Sequence, residues 1–194
     1  MENLSVVLKE LVEERGINFN TYLEKMSEPH KEKWIKRVKE LVIPLDLLNK
    51  YDLSDNHKKV KIIVFSAEWC PDSRFATPIA YLLSKQYPNI DFYIIDREDG
   101  WEALEFFKIN GDKKVPTIVF LNENYEETGR WVENSALSYY LRYKVKKEMT
   151  GKTKEEYREK LRETLSNNRE ELLRDATEEM LSLLVKAVIL SNQE

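Results

Sequence analysis

Apolar residues in the first third of the chain recur three or four positions apart. Leu4, Val7, Leu8, Leu11 and Val12 fall on one face of a helix over residues 2–15, which Gly16 stops. A second helical segment covers residues 20–26. Ser27-Glu28-Pro29 suits the start of a third, with Trp34, Ile35, Val38, Leu41 and Val42 as its stripe and Pro44 as its end. A helical turn is expected at residues 46–50, and nothing before Val60 reads as a strand. There the pattern changes. Residues 60–65 are apolar and rich in β-branched side chains, as in a parallel strand buried on both faces. Helical spacing returns over residues 71–87, with Phe75, Ile79, Leu82 and Leu83 inward, and Pro88-Asn89 breaks it before a strand at 90–95. Residues 100–109 read as a short helix capped by Asp99 or a neighbour. Short strands at 117–121 and 128–132 flank a hairpin signal, and Asn134 or Ser135 starts a helix carrying Leu137, Tyr140, Leu141 and Val145.

The order from Val60 is β-α-β-α-β-β-α, which builds a mixed sheet with helices on both faces. Two more helical segments follow. Thr153-Lys154-Glu155-Glu156 has the form of a capping box. From about residue 168, Leu172, Leu173, Ala176, Met180, Leu183, Leu184, Ala187 and Val188 recur at helical spacing. That face either packs on the core and the N-terminal helices or forms a dimer seam or partner groove.

Composition narrows the class. Hydrophobic residues make up 42% and charged residues 34%, with five glycines and six prolines, which fits a helix-rich globular protein and excludes disorder. A net charge of −4 gives no global electrostatic case for nucleic acid or an anionic membrane as partner. One cysteine excludes an intramolecular disulfide. With no signal-like apolar segment near Met1 and no long apolar run, a cytoplasmic location is expected. Asn3-Leu4-Ser5 matches a glycosylation acceptor, which carries no weight without a secretory context.

That single thiol is the chief chemical candidate. Cys70 stands in Trp69-Cys70-Pro71-Asp72-Ser73, after a strand that ends in Ser66-Ala67 and at the start of a helix. The helix dipole and free N–H groups of such a position stabilise a thiolate, the reactive form, and lower a thiol pKa from about 8.5 into the range of roughly 3.5 to 7.5. Pro71 suits the first helical turn, where its missing N–H costs nothing. Ser73 can offer the sulfur its hydroxyl or its backbone N–H. Arg74 places a positive charge nearby and Asp72 a negative one, and the two partly offset. Pro78 lies inside the helix, where a proline costs about 3 kcal/mol unless a kink is wanted. Further along, Val115-Pro116-Thr117 leads into another apolar strand.

With these residues the chain resembles the thioredoxin superfamily, in which a Trp-Cys-x-x-Cys loop faces an Ile/Val-Pro-Thr loop. The resemblance covers roughly residues 58–148 and implies an α/β, thioredoxin-like mixed four-stranded sheet with flanking helices. Residues 1–57 and 149–194 are then N- and C-terminal helical extensions, packed with it as one globular unit. The family carries a helix-kinking proline eight residues after its first active-site cysteine, the place of Pro78. Pro116 resembles the family's cis-proline, the alternative being an ordinary trans proline before a strand. The resemblance implies a nucleophilic Cys70 assisted by Ser73 and exposed at the strand tip. It makes Trp69, Pro71, Asp72, Val115, Pro116 and Thr117 the substrate-binding surface, with the Val115 backbone pairing to an extended substrate. No cofactor is implied.

Three departures bear on activity. Ser73 replaces the resolving cysteine, Val64 stands six residues before Cys70 where many thioredoxins bury an acid, and Pro71-Asp72 replaces the usual Gly-Pro pair. They lead to a monothiol oxidoreductase that forms mixed disulfides with a disulfide-containing protein or a low-molecular-weight thiol, resolved by an external thiol. The alternatives are a non-catalytic adaptor on the same fold, with a possible homodimer through the extensions, and a dithiol protein whose second cysteine Ser73 replaced.

Other groups read as structural. His30 and His57 have no partner at metal-ligand spacing and are expected on solvent-facing helix and loop, so no metal is expected. Asp96, Glu98 and Asp99 are better explained as caps than as paired acid–base groups. Gly151-Lys152-Thr153 lacks the earlier glycine of a phosphate loop. The lysines from Lys144 to Lys154 read as a solvated face. Lys113 and Lys114 either decorate a loop or hold a carboxylate of a small thiol such as glutathione.

Overall fold

A computed structural model describes residues 3–193. Four helices precede the sheet: α1 (Leu4–Arg15), α2 (Phe19–Lys25), α3 (Glu28–Glu40) and the single turn α4 (Leu45–Leu48). The core follows as β1 (Val60–Ser66), α5 (Pro71–Gln86), β2 (Ile90–Asp96), a 3-10 turn (Ala103–Phe107), β3 (Thr117–Leu121), β4 (Glu127–Val132) and α6 (Ala136–Glu148). The chain closes with α7 (Lys154–Asn167) and α8 (Arg169–Ser191). The mixed four-stranded α/β sheet expected from the pattern is present in the order β2-β1-β3-β4. β1 runs parallel to β2 and antiparallel to β3, and β4 is antiparallel to β3.

Alternation along β1 divides the core in two. Ile62 and Val64 face one cluster with α2, α3, α5 and α8, whereas Ile63 and Phe65 face another with Leu8 and Val12 of α1 and with Leu104 and Phe107. A central strand covered on both faces has little polar surface to show, hence the apolar run over residues 62–65; Lys61 before it is buried and donates to the Glu123 carbonyl at 2.9 Å. The α8 stripe is spent inside the same chain. Ala176, Met180, Leu184 and Ala187 have no exposed surface and join the first cluster, so this face is no dimer seam. Gly129 on β4 makes room for it, since a Cβ there would lie 2.8 Å from Leu183.

Polar anchors tie α8 to the core as well. Glu179 accepts from the Trp131 indole at 2.6 Å and from the Ala136 N–H at 2.8 Å, and Asp175 accepts from the Leu137 N–H at 2.9 Å. Two otherwise orphaned donors at the start of α6 thus meet carboxylates, which the helix dipole favours. Ser135 caps α6, Thr153 and Glu156 form the capping box of α7, and Asn3 caps α1 by accepting from the Ser5 N–H.

Some elements depart from the expectation. Residue 2, the expected start of α1, lies outside the described residues. α3 ends at Glu40 rather than near Pro44, because Leu41 and Ile43 point inward while Val42 between them is 73% exposed. That is the alternation of extended chain, not a helical stripe. The segment after β2 forms a five-residue 3-10 turn instead of a longer helix, and Asp99 does not cap it. Asp96 accepts from the Glu98 N–H, and Ile109 leaves helical geometry to bridge Asp112. In the first third, Ile17 makes an isolated antiparallel bridge to Ile94. It covers part of the free edge of β2, which would otherwise present unpaired backbone.

Candidate functional site

Cys70 occupies the N-cap position of α5, and its sulfur accepts the Ser73 N–H at 3.5 Å. The thiol in turn donates to the Val115 carbonyl at 3.5 Å. The Val115–Pro116 peptide bond is cis. Two loops far apart in sequence therefore meet at one sulfur. They do so because β1 and β3 are sheet neighbours whose ends, Phe65 and Thr117, are paired in register. Thr117 is fully buried and donates its hydroxyl to the Lys114 carbonyl at 2.7 Å, which holds the proline loop closed from below. The Val115 N–H has no acceptor among the described residues.

The site is more enclosed than the strand-tip picture implied. Cys70 keeps only 7% of its surface, because the proline loop lies over it. Trp69 beside it is 56% exposed and Pro71 is also exposed. Of the two groups Ser73 can offer, the sulfur receives the backbone N–H. The hydroxyl is turned away and accepts from the Ala67 N–H at 3.4 Å. Asp72 does not act as a lone charge beside the thiol, for Arg142 of α6 holds its carboxylate at 2.8 Å and also reaches Asn134. Burial nevertheless holds the Asp72 carboxyl above the usual carboxylate range, outweighing the guanidinium, and Glu133 adds to the shift.

Several contributors escaped the sequence reading. The Tyr22 phenol donates to Ser66 Oγ at 3.1 Å, and Ser66 in turn lies 3.5 Å from Thr77 Oγ1, forming a buried hydroxyl chain beneath the Cys70 loop. Burial pushes the Tyr22 phenol far above its ordinary value, so it serves as a neutral donor. The Trp34 indole donates to the Glu68 carbonyl at 2.9 Å, and the Glu68 carboxylate receives both the N–H and the hydroxyl of Ser27. Residues 66–68, which lead into the site, are thus clamped from α2 and α3. No spacing rule links Tyr22 or Trp34 to Cys70. Only their burial-prone aromatic character hinted at a core role.

Lys113 and Lys114 are already engaged. Lys113 donates to the Trp101 carbonyl at 2.7 Å and pairs with Glu105, and Lys114 pairs with Asp112 and Glu133. The reading as loop decoration therefore fits, and that of a carboxylate clamp does not. His57 is exposed but His30 is half-buried, contrary to the expectation of a solvent-facing side chain. Among the described residues no group of His, Cys, Asp and Glu side chains is arranged to hold a metal.

A thiol capping the first helix after a central strand, met by a cis-proline loop from the neighbouring strand, defines a thioredoxin-fold protein. The sequence comparisons agree: a family profile described as thioredoxin matches residues 16–138, and the chain belongs to the thioredoxin family. It is 33% identical over 70 residues to thioredoxin H5 of Arabidopsis thaliana, covering 36% of this chain and 57% of that protein. With thioredoxin H3 of the same plant it shares 31% identity over 78 residues, covering 40% of this chain and 64% of that one. The chain thus spans about six tenths of the length of these curated relatives. Among solved structures, a protein of unknown function from Pseudomonas aeruginosa superposes with a TM-score of 0.65 at 16% identity, over 89% of this chain and 93% of its own. An HIV epitope scaffold gives 0.64 at 16% identity, over 91% and 96%. These two matches extend the shared architecture beyond the sheet to the flanking helices.

Proposed function

We propose that this protein carries out thiol–disulfide exchange through Cys70 alone. The Cys70 thiolate attacks one sulfur of a substrate disulfide, forms a mixed disulfide and expels the other sulfur as a thiolate. An external thiol then attacks the mixed disulfide, leaves with the substrate sulfur and returns Cys70 to the thiolate. The observation that supports this reading is the position of the sulfur, held between the Ser73 N–H and the Val115 carbonyl at the mouth of α5. Trp69 and Pro71 form the approach, and the free Val115 N–H is placed to dock an extended substrate backbone. In this reading residues 58–148 carry the chemistry, residues 1–57 and 149–194 frame it, and the compartment is a reducing one such as the cytoplasm. The substrates are disulfide-bearing proteins or low-molecular-weight disulfides.

Incubation with a neutral small disulfide should add one half-disulfide per chain by intact mass, and dithiothreitol should remove it. Cys70→Ser should abolish the adduct. A native chain that forms no adduct at neutral pH would instead favour a non-catalytic binding module, a reading that the low exposure of Cys70 supports. A third reading makes Ser73 the replacement of a resolving cysteine. Restoring it as Ser73→Cys should then yield a chain that loses both thiols on oxidation and reduces a protein disulfide catalytically.

A further inference from the structure

Immediately beside the Cys70 loop lies a cleft of about 510 Å³, bounded by the start of α5 and by α3, α6, α7 and α8. Pro71 and Asp72, the two residues after the sulfur, line its inner end. Its floor is apolar, with Phe75, Leu161, Leu165 and Leu172. Five guanidiniums surround that floor: Arg37, Arg142, Arg158, Arg162 and Arg169. Such a concentration is out of keeping with a chain whose net charge is −4.

Two of the five charges are matched within the chain, Arg142 by Asp72 and Arg169 by Glu40. The other three make no ion-pair contact among the described residues, although Glu40, held by Arg169, also acts on Arg37 through space. Arg37 stacks over the Phe75 ring at 4.7 Å, and its Nε and Nη2 are buried without an acceptor. Burial, together with Arg169, pulls the Arg37 guanidinium down to about 10, which leaves it charged at neutral pH. Arg158 and Arg162 stand one helical turn apart on α7, exposed along the rim. Unpaired guanidiniums over an apolar floor complement a ligand that offers both carboxylates and apolar side chains. Because the five positive groups are spread along four helices, they match several carboxylates on a chain better than one compact anion.

We propose that this cleft docks an acidic, apolar-containing segment of the protein substrate while the substrate disulfide is presented to Cys70. The proposal rests on the reading of Cys70 as the nucleophile, and the C-terminal extension then acts as a specificity element. Arg158 and Arg162 engage carboxylates, and Leu161 and Leu165 on the same helix receive the apolar side chains.

The test uses the full chain and a synthetic peptide containing Glu, Asp, Leu and Phe, with one cysteine carried as its 2-thiopyridyl disulfide. A matched peptide has Lys and Arg in place of the acids, and release of 2-thiopyridone reports the rate. At low salt the acidic peptide should react about tenfold faster than the basic one, with the preference fading as salt rises. Arg158→Glu combined with Arg162→Glu should erase or invert the preference while leaving the rate with free 2,2′-dithiodipyridine unchanged. The Gln pair should give an intermediate result, and far-UV circular dichroism confirms that each variant is folded. Equal rates for the two peptides, or a preference untouched by the charge reversal, would overturn the proposal while leaving Cys70 as nucleophile. If no disulfide reacts, the Cys70 reading fails. Fluorescence anisotropy with serine versions of both peptides then decides the cleft by itself, and selective binding of the acidic peptide, lost in the charge-reversed chain, upholds it. A cleft that takes decanoate but shows no peptide preference belongs to a small ligand, which also overturns the proposal.

Discussion

Asp72 shows how a residue beside the sulfur acquires a property its sequence position does not reveal. An aspartate in the first turn of a helix is ordinarily stabilised as the anion by the dipole. Here burial dominates, and the folded chain holds the Asp72 proton more tightly than the unfolded chain does, even with Arg142 attached. Because the folded state binds more protons, the stability that Asp72 contributes is present at acid pH and is lost as pH rises from the ordinary carboxylate range through its folded value. Asp72→Asn removes that loss. Between about pH 4 and about pH 7 the urea midpoint of the variant should therefore gain on that of the parent. A gap that stays flat or narrows would mean that Arg142 controls the carboxyl. Tyr22 permits a second check at this scale. Tyr22→Phe deletes the donor to Ser66 and should cost about 0.5–1.5 kcal/mol by urea titration, because Ser66 retains Thr77 as a neighbour. A neutral result would mean that the hydroxyl chain is not a structural support of the loop.

At the scale of elements, α8 takes the place that a simple amphipathic surface helix would not. Its stripe lies against β4 and α5 in a dry cluster, and its carboxylates bind the start of α6. Surface ion pairs to the N-terminal helices, Lys50–Glu178 and Arg174–Asp46, join the same helix to distant chain but contribute little in water. The apolar contacts carry the stability. Leu184→Ala should destabilise the protein by about 2–5 kcal/mol, measured by urea unfolding, because a fully buried leucine leaves a cavity that β-sheet neighbours cannot collapse into. A cost under about 1 kcal/mol would show that α8 is only loosely held.

Across the whole molecule, the segments that flank the sheet contribute side chains to the two core clusters. Trp34 in α3 is fully buried, packs on Tyr22 and Phe19, and supports the Glu68 carbonyl next to the site. Trp131 in β4 is tied to α8 through Glu179. Unfolding followed by tryptophan fluorescence, which samples both regions, should coincide with the loss of far-UV circular dichroism in one transition. Two separated transitions would show that residues 1–57 or 149–194 form an independent unit. One transition would also explain why removing either segment exposes sheet and helix faces with nothing to cover them.

The mixed sheet was legible because β1 and β3 are buried along their length and β3 and β4 are paired in a short hairpin, and burial writes itself into local apolar runs such as residues 62–65. Helix starts at Ser135 and Thr153 were legible for a similar reason, since a cap is a contact between residues three apart. The meeting of Cys70 with Pro116 could be read only through family resemblance, whereas the clamp from Tyr22 and Trp34 and the Asp72–Arg142 pair could not be read at all. These contacts join residues tens of positions apart, and no local period records them. The order of elements from Val60 on, and the place of the single thiol at a strand-to-helix junction, were thus settled by sequence, through short-range propensity and hydrophobic spacing. How deeply the sulfur sits, which charge faces it and what surrounds its approach were decided by tertiary packing, because burial and pairing depend on which distant surfaces meet.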